Sequence, residues 1–400
     1  MNLKRHILLA LFYFLMAALM GVLLRFFYVV PIPLNFKFIL HAHSHTALLG
    51  WVYLGLTTLI YKIFLVSAEK PILYKRIFWF ANFCIFGMLV TFPIQGYALF
   101  SIIFSTLFLF ASYSFFWFAI KFVPVGFKNR FSWKLVKMAL WYLVISSIGP
   151  WAIGLVMATL GNESIWYKTS IYFYLHFLYN GWFIFVLLGV LFYFFEEKGV
   201  RFNPQKLRSF FFLLNIGAIF TVFLSILWFV PPVVFYILGL VGAVSQILAF
   251  YELFGLLKEY IPILKKSFTK YVFFLLKFSG ILVVLKLFMQ LFSAFPYVAN
   301  LAFQVKDFVI GYLHMVFLGI VVAIMLIFLE RFRLLHLSKN FLRLYLIAFT
   351  VTEILIFYKA IAFSFGVPVF PNYYPFLAFA SLLFPISVAV LFFGNFFAPK

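Results

Sequence analysis

The stretch Leu40–Lys62, LHAHSHTALLGWVYLGLTTLIYK, sets three histidines at alternate positions directly before an apolar run. These are His41, His43 and His45, and from Thr46 to Ile60 the run contains no charged residue. A helix needs about 20 mostly apolar residues to cross a bilayer. The segment 38–64 therefore predicts a membrane-spanning helix that carries histidines at its entrance.

The whole chain has the composition of a membrane protein. Hydrophobic residues make up 67% of it and the mean hydropathy is +1.15, whereas about half of a typical soluble chain is apolar. Twelve segments are apolar and long enough to span a lipid bilayer: 6–30, 38–64, 76–98, 100–122, 135–160, 168–195, 209–230, 233–256, 271–294, 307–330, 341–365 and 374–397. We expect an all-α, polytopic membrane protein that forms a single transmembrane domain over 1–400.

The net charge of +22 follows this topology. Lysines and arginines concentrate in alternate loops, for example Lys128, Arg130, Lys134 and Lys137 after the fourth segment. Basic loops remain on the cytoplasmic side, which predicts an inner-membrane protein with both termini in the cytoplasm. Because topology accounts for most of the charge, we expect no nucleic-acid partner.

Three histidines recur at equivalent places in the second, sixth and tenth segments. His45 begins HTALLGW, His176 begins HFLYNGW and His314 begins HMVFLGI, at nearly equal spacings along the chain. All three segments enter from the outer face, and a rise of about 1.5 Å per residue puts each histidine about 10–12 Å deep. The repeat predicts three pseudo-equivalent four-helix arcs, approximately 1–130, 131–265 and 266–400.

Each of these histidines is followed, five residues later, by Gly50, Gly181 or Gly319. At about 100° per residue, a glycine at this position is rotated about 140° from its histidine. The glycines are therefore predicted to be close helix contacts and not part of the histidine face.

Histidines within hydrocarbon are costly and mark functional sites by default, although each could simply hydrogen-bond a neighbouring helix. No Asp or Glu lies at the depth of these histidines in their three helices, and the single cysteine, Cys84, is inside another apolar run. An all-nitrogen site suits haem iron, copper or zinc better than calcium or magnesium. The 64 phenylalanines provide apolar surface that could enclose a porphyrin.

The order of twelve helices and the motif from His43 to Trp51 resemble the catalytic subunit (subunit I) of haem-copper oxidases, in the cbb3-type and nitric oxide reductase branch. The resemblance implies electron transport, a b-type haem, and an electron-donor subunit or quinol as partner. It assigns His45 and His314 as haem ligands and His176 as a copper ligand. A weaker likeness is to the NnrS family of haem-associated membrane proteins.

The chain departs from that family at the copper centre. Asn180 stands at the tyrosine position four residues after His176, Val316 replaces a second histidine after His314, and the seventh segment has no histidine. We therefore expect a haem- or metal-binding protein with redox or diatomic-gas (O2 or NO) chemistry, which would make it an oxidoreductase. A complete three-histidine copper centre and coupled proton pumping are not expected.

Two alternatives use the same histidines for a metal ion. His41 and His45 lie one helical turn apart, as in helical zinc sites, and together with His43, His176 and His314 they form the candidate metal-binding set. One alternative is a zinc-dependent membrane hydrolase with Glu163 or Asp307 as its acid or base, and the other is a metal transport or assembly protein. His41 and His43 could also be solvated at headgroup level, or lie on an extended strand.

Two further charged residues lie within apolar segments. Lys286 is in the ninth segment and Glu353 in the eleventh. An ion pair between them is the favoured interpretation, ahead of a proton relay.

Overall fold

In the computed structural model, which describes residues 2–397, every regular element is a helix. Twelve helices in this range are long and apolar enough to span a membrane. They are α1 (Leu3–Phe26), α2 (Phe36–Ala68), α3 (Pro71–Gln95), α4 (Leu99–Phe122), α5 (Phe131–Thr159), α6 (Ile165–Glu197), α7 (Pro204–Phe229), α8 (Val233–Ser267), α9 (Lys270–Ser293), α10 (Lys306–Arg331), α11 (Lys339–Ser364) and α12 (Tyr373–Phe396). The predicted all-α, polytopic fold is confirmed.

Helix ends follow ordinary capping chemistry. Asn35 caps α2, where its Oδ1 accepts from the backbone N–H groups of Lys37 at 3.0 Å and Phe38 at 3.3 Å. Asn203 caps α7 in the same way. Such side chains satisfy N–H groups that have no partner within the helix, and Asn35 starts α2 before its predicted first residue.

The chain forms two compact units. One contains Met1–Pro124 and Val322–Lys400, and the other contains Val125–Val321. Helices α1 to α4 belong to the first unit and α5 to α9 to the second, while α10 passes from the second to the first at the Val321–Val322 bond. The division into three four-helix arcs stays a prediction.

Helices α2, α6 and α10 are the most buried of the twelve. In their most apolar stretches 89, 89 and 67% of the residues are buried, against 33 to 44% in the other nine helices. A helix that is apolar all round and mostly buried packs against protein on every side. The three histidine-bearing helices are therefore interior helices, and the other nine supply most of the exposed apolar surface.

The same three helices change geometry directly after their histidines. Each is α-helical up to His45, His176 or His314 and then becomes π-helical, over Thr46–Tyr53, Phe177–Phe183 and Met315–Val322 respectively. π-Helical turns are rare and often lie at functional sites. The sequence repeat is thus also a repeat of local backbone structure.

This geometry corrects the predicted orientation of the glycines. A π-helix closes hydrogen bonds from residue i to i+5, so the angular step of an α-helix does not apply between each histidine and the glycine five residues later. The rotation predicted from α-helical geometry is therefore wrong.

Candidate functional site

His45 ends the α-helical part of α2, and its ring is fixed at Nδ1. The Nδ1–H donates to the carbonyl oxygen of His41, one turn earlier, at 2.9 Å. A carbonyl oxygen can only accept, so the proton is on Nδ1 and Nε2 carries a lone pair. The hydroxyl of Tyr97 donates to that Nε2 at 3.2 Å.

The turn between α3 and α4 positions Tyr97. Gly96 in this turn has a φ of +61°, a conformation that glycine adopts without steric cost. A Cβ at Gly96 would also lie 2.3 Å from Cε1 of Phe38. Both constraints require glycine here, and the turn brings Tyr97 beside His41 and His45, with ring centroids 4.6 and 5.8 Å away.

His314 repeats the arrangement of His45. It also ends an α-helical segment, and its Nδ1–H donates to the carbonyl oxygen of Ile310, four residues earlier, at 3.0 Å. Both histidines are half-buried. They therefore share a tautomer, with the proton on Nδ1, and the same place on the helix.

His176 has the opposite tautomer. Its Nε2–H donates to the carbonyl oxygen of Ala218 in α7 at 2.8 Å, and its Nδ1 accepts from the side-chain amide of Asn180 at 3.3 Å. The ring is 2% exposed. Both nitrogens are used inside the protein, so a metal could bind His176 only after one of these hydrogen bonds breaks.

His41 and His43 lie on different faces of α2. The residues 36–45 are α-helical, so the alternative of an extended strand is wrong. His41 packs beside Tyr97 on the face of His45, whereas the Nδ1–H of His43 donates to the carbonyl oxygen of Ala17 in α1 at 2.8 Å. The predicted sharing of a face by His41 and His45 is confirmed, and His43 links α2 to α1.

The five candidate histidines are divided between the two units. His41, His43 and His45 are in the unit that contains α1 to α4, and His176 and His314 are in the other. Within residues 2–397, no three His, Cys, Asp or Glu side chains come together in a group that could hold a metal ion. A centre with three or more protein ligands is therefore not formed by the described residues.

The glycines of the repeat are contact points, as predicted. A Cβ at Gly50 would lie 2.7 Å from Cβ of Tyr13, and a Cβ at Gly181 would lie 2.6 Å from Cβ of Tyr142. The carbonyl oxygen of Gly319 accepts from Oγ of Ser279 at 2.8 Å. In each case the partner is on the preceding helix, α1, α5 or α9.

Two tyrosine–asparagine pairs extend this repeat, and the sequence analysis missed them. The hydroxyl of Tyr13 donates to Oδ1 of Asn82 at 2.8 Å, and that of Tyr142 donates to Oδ1 of Asn215 at 2.9 Å. The two tyrosines, and likewise the two asparagines, are separated by nearly the same length of chain as the first two histidines of the repeat. A search for polar residues at the repeat spacing would have found both pairs.

Comparison with known proteins identified no family for this chain. No protein-family model matches the chain, and no curated protein matches it at a significant level.

Proposed function

We propose that this multi-pass membrane protein binds a b-type haem through His45 and His314 and uses it for electron transfer. The observation that carries the proposal is the hydrogen bond that both imidazoles make from Nδ1–H to the carbonyl oxygen four residues earlier. His176, the third histidine of the repeat, lacks it.

The chemistry of imidazole ligation explains why this hydrogen bond matters. A metal-binding histidine donates its second ring N–H to a carbonyl or carboxylate, which fixes the tautomer and the ring orientation and makes the ligating nitrogen more basic. In His45 and His314 that second N–H is Nδ1–H, so Nε2 is the nitrogen suited to iron. At His45 the hydroxyl of Tyr97 would have to turn away, and Tyr97 is 48% exposed and has room to do so.

The use of two histidine ligands favours electron transfer as the redox chemistry. His45 and His314 would hold the haem, which would supply one-electron chemistry when bound. Because both histidines would be used as ligands, we propose electron transfer ahead of diatomic-gas (O2 or NO) chemistry. An electron-donor subunit or a quinol would supply the electrons, and the basic alternate loops favour the inner membrane with both termini in the cytoplasm.

The copper and zinc alternatives have less support. A zinc hydrolase or a metal-transfer site needs several protein ligands around one ion, and no such group is present in the described part of the chain. Both nitrogens of His176 are already bound, which disfavours its predicted role as a copper ligand. We therefore do not include a copper centre in the proposed function.

Absorption spectroscopy of the purified protein tests this proposal. Protein from a haem-supplemented host should show a Soret band and a b-type pyridine haemochrome, and His45→Ala and His314→Ala should each lose most of the haem. His336→Ala is the matched control, because His336 is 79% exposed and outside the candidate site. Wild-type protein without haem, or full haem content in both site variants that elute as monodisperse protein, would overturn the proposal.

A further inference from the structure

A second polar cluster lies inside the membrane-spanning part of the unit that contains α5 to α9, and it is separate from the proposed haem ligands. Its centre is Lys286, in the second half of α9, and this residue is 4% exposed. The ammonium donates to Oε1 of Gln290, one turn further along α9, at 2.6 Å, and to Oε1 of Gln246 in α8 at 3.2 Å. Two neutral amide oxygens therefore hold this buried cation.

The glutamine from α8 is itself held in place. Its Nε2–H donates to Oγ1 of Thr221 at 3.1 Å, and the Thr221 hydroxyl donates to the carbonyl oxygen of Gly217 at 2.6 Å. A Cβ at Gly217 would lie 2.4 Å from Cγ of Gln246, so a glycine at this position of α7 lets the glutamine pack closely. These hydrogen bonds and close contacts hold the side chains in place and join α7, α8 and α9.

A small cavity adjoins the ammonium. Its volume is about 10 Å³, and Lys286, Gln246 and Asn180 provide polar atoms in its lining, which is otherwise mostly apolar. Oδ1 of Asn180 is buried and has no hydrogen-bond partner, while the amide nitrogen of the same side chain donates to His176. A cavity of this size just holds one water molecule.

The hydrogen-bonding capacities around the cavity match one water. An ammonium has three N–H donors, of which two are used by the glutamines. One donor on Lys286 and one acceptor on Asn180 remain. A water molecule that accepts from Lys286 and donates to Asn180 would satisfy both groups.

The partners of Lys286 are unusual for a buried cation. Buried charges in proteins are normally paired with opposite charges, yet among residues 2–397 no carboxylate lies within ion-pair distance of Lys286. The predicted ion pair between Lys286 and Glu353 is therefore wrong. A carboxylate would fix the charged form, whereas a neutral amide oxygen accepts from an ammonium and from a neutral amine alike.

We propose that Lys286, Gln246, Gln290 and Asn180 form a proton-binding site within the membrane. The ε-amine takes up one proton and becomes an ammonium, which two amide oxygens and one water solvate. When the proton leaves, the amine keeps its two N–H donations to the glutamine oxygens, and the water turns to donate to the amine lone pair and to Asn180. The site therefore satisfies its hydrogen bonds in both states, and neither state requires a counter-ion.

One other ionisable group bears on this site. His176, in α6, is joined to the cluster through the side chain of Asn180. The groups contributed by α7 and α8, Thr221 and Gln246, do not ionise. Of the side chains named in the cluster and joined to it, Lys286 and His176 are thus the two that can take up a proton.

Solid-state NMR of protein labelled with 15N at the lysine side chains, in lipid and between pH 5 and 9, tests the proposal. We expect one lysine signal to change between the ammonium and amine positions over this range. The signal should be lost in Lys286→Met and kept in Lys277→Met, a control on an exposed residue of the same helix.

A near-isosteric variant covers the case in which Lys286→Met does not fold. Gln290→Glu places a carboxylate beside the ammonium, so the Lys286 signal should stay at the ammonium position throughout the pH range. If all lysines of the wild-type protein remain ammonium from pH 5 to 9, or if Gln290→Glu leaves the titrating signal unchanged, the proposal is wrong.

Discussion

Replacing Gly181 by alanine tests whether the contact between α5 and α6 is as close as the structure shows. The added Cβ would lie 2.6 Å from Cβ and Cγ of Tyr142, whereas non-bonded carbon atoms are best separated by about 3.5–4.0 Å. The clash involves atoms next to the backbone of α5, so no flexible side-chain end can move aside. The two helices would have to separate by roughly 1 Å, the difference between these distances.

The expected loss of stability follows from two opposing effects. Overpacking of this kind lowers the free energy of unfolding by about 1–3 kcal/mol. The higher helix propensity of alanine offsets up to about 1 kcal/mol of this loss. We therefore expect Gly181→Ala to lower the free energy of unfolding by about 1–2 kcal/mol. Gly280→Ala is the matched control, because nothing lies within 4 Å of a Cβ at that exposed position in α9, and it should be neutral or stabilising.

Equilibrium unfolding in mixed micelles, followed by tryptophan fluorescence, measures both variants. Gly50→Ala should behave like Gly181→Ala, since its Cβ would meet Tyr13 at nearly the same distance. If Gly181→Ala is as stable as the wild-type protein, or gains stability as Gly280→Ala does, the packing described here is incorrect.

The remaining predictions concern hydrogen bonds and metal content. Tyr13→Phe and Tyr142→Phe should each lower the free energy of unfolding by about 0.6–1.7 kcal/mol, the range for polar contacts between membrane helices; micelle unfolding measures this, and a large difference between the two would argue against equivalent pairs. Tyr97→Phe removes the hydroxyl that donates to Nε2 of His45, so the variant should bind at least as much haem as the wild-type protein, and a haem content below half would contradict this. Extensive dialysis against EDTA should leave both the absorption spectrum and the melting temperature unchanged, because the proposed cofactor is held in a porphyrin; loss of zinc with a fall in melting temperature would instead favour the zinc alternative.

The sequence predicted the helices well and revealed the histidine repeat, because both can be read from local sequence. The apolar length of α2 and the shared spacing of His45, His176 and His314 can be counted directly. The π-helical turns could not be predicted, since the residues after each histidine form an apolar run that fits an α-helix equally well. Their formation depends on packing against neighbouring helices.

The different roles of the histidines could not be predicted because they depend on partners distant in sequence. His176 is set apart by the carbonyl oxygen of Ala218, which is 42 residues away. His45 and His314 donate to carbonyl oxygens of their own helices. The neighbouring residues in the sequence do not show which acceptor each histidine uses. Lys286 was recognised as a buried charge, but one of its two partners, Gln246, is 40 residues away on another helix.

The π-helical segments have a consequence for insertions and deletions in this chain. Removing one residue from Phe177–Phe183, for instance, would let that segment become α-helical, and α6 would still be long enough to cross the bilayer. Because a π-helical turn holds about one more residue than an α-helical turn, the shortened segment would complete nearly the same rotation, and the side chains beyond the deletion would keep facing their present neighbours. The same deletion in the middle of α4, which is α-helical throughout, would instead turn every later side chain by about 100° about the helix axis.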